Sequence, residues 1–197
     1  MRSIAVPLML LLFAGCKTLP PVTTTPSFVT YPALATHNPA DIAVLPIEDG
    51  TPDRTAARHL EFMRQVVQRR LPERLYSPLT STHVDAALMR NGPGPGETTM
   101  TPAYLKRVAG KATEDALLAV RVDLWDESRL LSDKRVEFRI EAALMANDGE
   151  LLWSGNLAGT AKAGGLGPAP RDVDAMARSC AELALTDVLN HLSRRLP

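Results

Sequence analysis

Between residues 41 and 195 the apolar positions recur with two different periods, and the alternation of the two outlines a set of strands and helices. Residues 41–47, DIAVLPI, form a short β-rich apolar run that closes on a proline-containing turn, as a buried strand does. From Pro52 and Asp53 to about Arg70 the pattern turns helical. Ala56, Leu60, Met63, Val67 and Leu71 line one face, Arg58, Glu61, Arg64 and Gln68 take the others, and Pro72 marks the end. A short strand around residues 74–79 comes next, then a small helix capped by Ser81 or Thr82 and carrying Val84, Ala87 and Leu88. Thr101 caps a further helix with Pro102 at its first position and Tyr104, Leu105 and Val108 inside it.

The C-terminal half is more regular. Residues 115–125, DALLAVRVDLW, begin almost wholly apolar and then alternate, which predicts a central strand. Val136, Phe138, Ile140, Ala142 and Leu144 alternate with Glu137, Arg139 and Glu141, giving a strand with one wet face. Asn147-Asp148-Gly149 is a hairpin turn in which Gly149 supplies the positive φ, and Leu151, Trp153, Gly155 and Leu157 point to one side of the returning strand. Past a glycine-rich loop, residues 171–195 read as one long amphipathic helix with Val173, Met176, Cys180, Leu183, Ala184, Val188 and Leu192 on its stripe. Strands interleaved with helices predict a single compact α/β domain (α+β being the variant), a two- or three-layer sandwich closed by a long C-terminal helix.

The first 38 residues obey neither period. Arg2 precedes an apolar run over residues 4–13, then come Ala14, Gly15 and Cys16. A charged start, a short apolar stretch and small residues at the cut are the parts of a secretory signal, and the run is far short of the roughly 20 residues a spanning helix needs. Phe13-Ala14-Gly15-Cys16 resembles a bacterial lipobox, with Phe13 where leucine is usual. The expectation is a signal peptide over residues 1–15 and lipidation of Cys16. Several acyl chains on one residue hold a protein stably where a single chain is marginal. Lys17, by resemblance to lipoprotein sorting, favours the outer membrane and its periplasmic face. Residues 17–38 mix Pro20, Pro21, Pro26 and Pro32 with six threonines and one charge, so 16–38 is expected to be a lipidated tether and 39–197 the domain. Phe28 and Tyr31 are the two side chains there that could dock on the domain.

Composition narrows the function. Lys plus Arg and Asp plus Glu are 22 each, a formal net charge of zero, which argues against a nucleic-acid partner. The chain has two cysteines, and a lipidated Cys16 leaves Cys180 without a disulfide partner. No metal site is expected, since neither a Cys-x-x-Cys nor a His-x-x-x-His pair occurs, and no cofactor motif is present either. The NGPGPG run at residues 91–96 fails as a phosphate loop because its prolines remove donors and no Lys-Ser or Lys-Thr follows.

The runs IAVLPIEDGTP, DALLAVRVDLW and NDGELLWSG, in that order behind a lipobox, resemble a group of envelope lipoproteins over roughly residues 41–190. The group comprises the curli-secretion lipoprotein CsgG, the penicillin-binding-protein activator LpoB and uncharacterised lipoproteins of similar length. The resemblance implies an anticodon-binding-like or TolB-N-like sandwich and a role in supporting envelope machinery. The pore-forming hairpins of the secretion member are not implied, because the ten charged-rich residues 126–135 cannot supply one and the hairpin over residues 137–161 reads as core sheet.

Candidate chemistry is sparse. His37 falls in the tether, and His59, His83 and His191 in separate helices, where packing or surface roles are the default. Cys180 lies on an apolar stripe as a buried thiol. Glu48, Asp49 and Asp53 cluster after the first strand of the domain, and helix-start electrostatics explain them as well as acid catalysis does. No catalytic residue is therefore expected. The expectation is a non-enzymatic, outer-membrane-anchored lipoprotein that binds envelope proteins or copies of itself. The alternative is a lipid- or small-ligand-binding auxiliary of an ABC-type transport system, which would show a continuous apolar cavity between helices and sheet. A hydrolase would need His59 or His83 beside a nucleophile or carboxylate in a cleft.

Overall fold

The computed structural model describes residues 21–89, 91–94, 97–165 and 167–196. The expected signal peptide over residues 1–15 and the lipidation expected at Cys16 lie outside the described residues. In chain order the elements are β1 (Val22–Thr30), α1 (Ala33–His37), β2 (Asp41–Val44), β3 (Glu48–Asp49), α2 (Leu60–Arg70), β4 (Ser77–Pro78), α3 (Ser81–Leu88), α4 (Pro102–Val108), β5 (Ala116–Asp126), the short α5 (Leu130–Asp133), β6 (Arg135–Ala146), β7 (Leu151–Lys162) and α6 (Val173–Asn190). Among the described residues seven strands make one sheet in the order β1-β7-β6-β5-β2-β4, with β3 also on β5. Strands β5, β6, β7 and β1 are antiparallel neighbours, whereas β2 and β3 run parallel to β5, and β4 parallel to β2. The expected mixed α/β domain with a C-terminal helix is what forms.

One face of the sheet carries the main core. Val136, Phe138, Ile140, Ala142 and Leu144 of β6 and Leu118, Val120 and Val122 of β5 meet α2 and α6, whose Met63, Val67, Cys180, Ala184 and Val188 are all buried. Asp172 caps α6 by accepting the Ala175 amide at 2.8 Å, which satisfies one of the orphan donors of the first turn. A smaller core on the opposite face joins Ala43, Leu117, Ala119, Ala143 and Met145 to Val84, Leu88, Tyr104, Leu105 and Val108 of α3 and α4. That second layer covers β2 and the ends of β5 and β6 nearest the β6–β7 hairpin.

The region expected to be a tether as far as residue 38 is different from residue 22 onward. Val22–Thr30 pairs along its whole length with β7, and Ala33–His37 forms a helical turn, so the domain begins before residue 39. The physical reason lies in alternate positions. Phe28 stacks on the fully buried Trp153 with centroids 4.7 Å apart and planes 4° from parallel. Thr24 Oγ1 donates to Asp187 at 2.8 Å. Gly155 and Gly159 of β7 make the approach possible, since a Cβ on either would come within 2.1–2.2 Å of the Ser27 or Thr23 carbonyl oxygen. Strand β1 is also a protected edge. Tyr31 N–H donates to the Leu152 carbonyl and Lys162 N–H to the Pro21 carbonyl, so the odd positions bond β7 and the even ones face outward. Pro26 is an even position, and its missing N–H interrupts the free edge.

Helix α2 starts later than its apolar period suggests, with a 3-10 turn at Ala57–His59 ahead of Leu60. The strand expected around residues 74–79 is only Ser77–Pro78. The β6–β7 hairpin is core sheet, turning at Gly149 with φ +89°, as expected.

Candidate functional site

Histidine 59 comes closest to a catalytic arrangement. It is 2% exposed, its Nε2 lies 2.7 Å from Glu127 Oε1, and Trp125 Nε1 donates to the same oxygen at 2.7 Å. Arg58 forms an ion pair with Glu127, and Thr55 Oγ1 donates to the Trp125 carbonyl. A histidine stands beside a carboxylate, as a hydrolase needs, but not in a cleft: the imidazole packs against the Trp125 ring, 5.9 Å between centroids, and is almost wholly shielded from solvent. The group instead fastens the start of α2 to the end of β5. Glu127 is 68 residues from His59, so sequence spacing gave no sign of the pair.

The other candidates stay apart. His83 sits 2.9 Å from the Ala112 carbonyl, and His191 stacks on Phe28 while its carbonyl accepts from Trp153 Nε1. Glu48 and Asp49 are successive strand residues registered with Arg121 and Val122, and so point to opposite faces. Glu48 accepts the Thr99 hydroxyl at 2.7 Å, and Asp49 accepts the Thr51 amide at 3.0 Å; Asp53 is exposed. They are not an acid pair. Cys180 is fully buried with Sγ 3.3 Å from the Ala161 carbonyl, and burial pushes its thiol up to about 12. It is an inert core thiol at neutral pH.

One group among the described residues has donors close enough to share an ion. His37 Nε2 lies 3.0 Å from Glu150 Oε2 and 3.6 Å from Asp148 Oδ2, at the mouth of the β6–β7 hairpin. Without an ion the same contacts latch α1 to the hairpin. Sequence reading placed His37 in the tether and missed this pairing.

The broadest surface feature is the sheet face that α3 and α4 leave bare. Register places Thr23, Thr25, Ser27 and Val29 of β1, Ser154, Asn156, Ala158 and Thr160 of β7, Glu137, Arg139 and Glu141 of β6, and Arg121 and Leu124 of β5 on it, with Asp123 in the β5 bulge between them. Arg121 bridges Asp123 at 2.7 Å and Glu141 at 3.2 Å there. The surface is flat, rich in hydroxyls and of mixed charge. Clefts of about 320–530 Å³ open on the molecule's surface. Two of them are a hollow over this bare face, between Thr25, Asp123, Arg139 and Asn156, and a cleft beside α4 bordered by Met100, Lys106, Met145 and Leu151. The interior between the sheet and the α2–α6 layer is filled by the main core. Among the described residues no helix is long and apolar enough to cross a membrane.

These features define a class: a mixed α/β domain with one helical layer complete, the other partial, and a broad polar strand face left open. No family model matches the chain, and no curated protein sequence does. Among solved structures it is similar to the PelC dodecamer from Paraburkholderia phytofirmans, at 16% identity and a TM-score of 0.52, over 88% of this chain and all of that one. That superposition shows a shared fold. Looser likenesses are to the lipoprotein GNA1162 from Neisseria meningitidis (19% identity, TM-score 0.47, 79% of this chain and all of that one) and to LpoB of E. coli (14%, 0.44, 81% and 83%).

Proposed function

We propose that the chain is an outer-membrane lipoprotein, held on the periplasmic face by acyl chains on Cys16, whose domain works without catalysis as a protein-binding accessory or assembly factor of an envelope complex. Further copies of the chain are among its partners. The observation that carries this reading is the bare sheet face. Four long strands present hydroxyl, amide and charged side chains in register, on a rigid platform backed by a packed core. The fold is also that of PelC, which is described as a dodecamer. No nucleic acid belongs among the partners, consistent with a formal net charge of zero.

The rival reading, a lipid- or small-ligand-binding auxiliary of an ABC-type transporter, called for a continuous apolar cavity between helices and sheet; the main core occupies that space. The test is a pulldown from detergent-solubilised envelopes with the native chain and with Cys16→Ala. Specific envelope proteins or additional copies recovered only with the lipidated form support the reading. Lipid alone would transfer support to the rival.

A further inference from the structure

The sheet has two ends, and the chain preceding β1 enters at one of them. Pro21 accepts the Lys162 amide at 2.8 Å, Lys162 is registered with Arg135, and the Lys134 carbonyl accepts the Ala163 amide at 2.7 Å. The entry point of the chain, the end of β7, the start of β6 and the β5–β6 connection with α5 thus share one end. The opposite end carries the β6–β7 hairpin, Asn38 and the C-terminal residues, where Asn38 Oδ1 accepts the Leu196 amide.

Five residue steps separate Cys16 from Pro21, so their Cα atoms are at most about 18 Å apart, whatever path the chain takes. Acyl chains on Cys16 therefore bring the Pro21 end of the sheet to the bilayer surface. This end displays Leu131, whose neighbour Leu130 is buried while it stands 74% exposed. The same end carries the basic side chains Arg129, Lys134, Arg135 and Lys162. The acids there are largely engaged: Asp133 lies 4.0 Å from Arg129, Asp126 accepts from Ser128, Glu127 and Asp174 pair with Arg58, and Asp172 caps α6, while Glu137 faces the bare side of the sheet. An exposed apolar residue that shares its end of the sheet with long basic side chains suits the boundary between acyl chains and headgroup phosphates, where lysine and arginine stems lie along apolar surface and their heads reach phosphate.

We propose that this end is a second membrane contact, with Leu131 entering the headgroup–acyl boundary and Lys134, Arg135 and Lys162 bound to lipid phosphates. The contact rests on the anchoring reading and fixes what that reading leaves open, the orientation of the domain. It stands the strands up from the bilayer and leaves the bare face directed sideways, toward neighbouring envelope proteins.

The experiment places a thiol-reactive fluorophore on Leu131→Cys or, as control, on Leu196→Cys, another exposed leucine, at the opposite end. Both are made in the full chain purified from envelopes. The labelled proteins are reconstituted into phosphatidylethanolamine–phosphatidylglycerol vesicles containing lipids brominated on the acyl chain, and the mass of the N-terminal peptide is measured in parallel. The expected result is several-fold stronger quenching at position 131 than at 196, reduced when Lys134→Glu and Lys162→Glu are added. Equal, weak quenching at both positions with lipid present on Cys16 overturns the contact and leaves the anchor standing. An N-terminal peptide without lipid overturns the anchoring reading, and the contact with it.

Discussion

At the scale of single residues, the buried polar groups say how firmly the domain is specified. Arg64 is 3% exposed, donates from Nε and Nη2 to the Val44 carbonyl at 3.1 and 2.8 Å, and meets Asp85 through two further bonds. It closes the gap between β2 and α3 at a carbonyl beyond the reach of the sheet ladder. Replacing it with leucine leaves that acceptor buried and unmet, so Arg64→Leu should lower unfolding stability by about 1–3 kcal/mol in a urea titration. Glu97 illustrates a reversible contact. Hydrogen bonds from Arg107, then from the Gly94 amide, hold its carboxyl down at about 2, below its ordinary 4.5. Because the folded value is the lower one, the fastening of Gly94 and Arg107 to Glu97 is complete above about pH 4.5 and is lost as pH falls toward 2. Exchange protection of the Gly94 amide should therefore persist at pH 4 and disappear near pH 2. Loss of protection already at pH 4 would contradict the assignment.

At the scale of elements, the clearest reading of the sequence was of β5, β6, β7 and α6, because each has a full period of apolar side chains facing the main core. Strand β1 escaped notice for a physical reason. As an edge strand it has one wet face and one free edge, and it buries only parts of Val22, Thr24 and Phe28. The rest of its composition is that of an extended linker. Its signal was in the partner strand, in Gly155 and Gly159, which have no role in a sheet except to admit a close neighbour. The His59–Glu127 and His37–Glu150 pairings were illegible for another reason: they join residues far apart in sequence that only the folded sheet brings together. The burial of Arg64 was hidden because a helical period records charge but not whether a partner waits beneath it. Gly155→Ala should force β1 from its seat and uncover Trp153. The expected outcome is a red-shifted tryptophan emission and proteolytic cleavage within residues 22–30, with the remainder of the domain intact. An unshifted, protease-resistant variant would mean that β1 is not held as described.

At the scale of the whole molecule, the arrangement separates three tasks. On the proposed reading one sheet end meets the membrane and the bare face is left for partners, while the helical layer and core give rigidity. The interrupted β1 edge, with Pro26 in an outward position, argues that copies associate through faces rather than by joining strands edge to edge. The measurement that tests the central claim most directly is the mass and composition of the particle formed by the detergent-extracted native chain, by native mass spectrometry, beside an Arg139→Glu, Asn156→Lys variant of the bare face. The account predicts a wild-type particle heavier than one acylated chain, containing further copies or envelope proteins, and its loss in a variant that keeps its fold and its lipid. A wild-type particle that is strictly one chain with no partner, or a heavy particle indifferent to both substitutions, would contradict it.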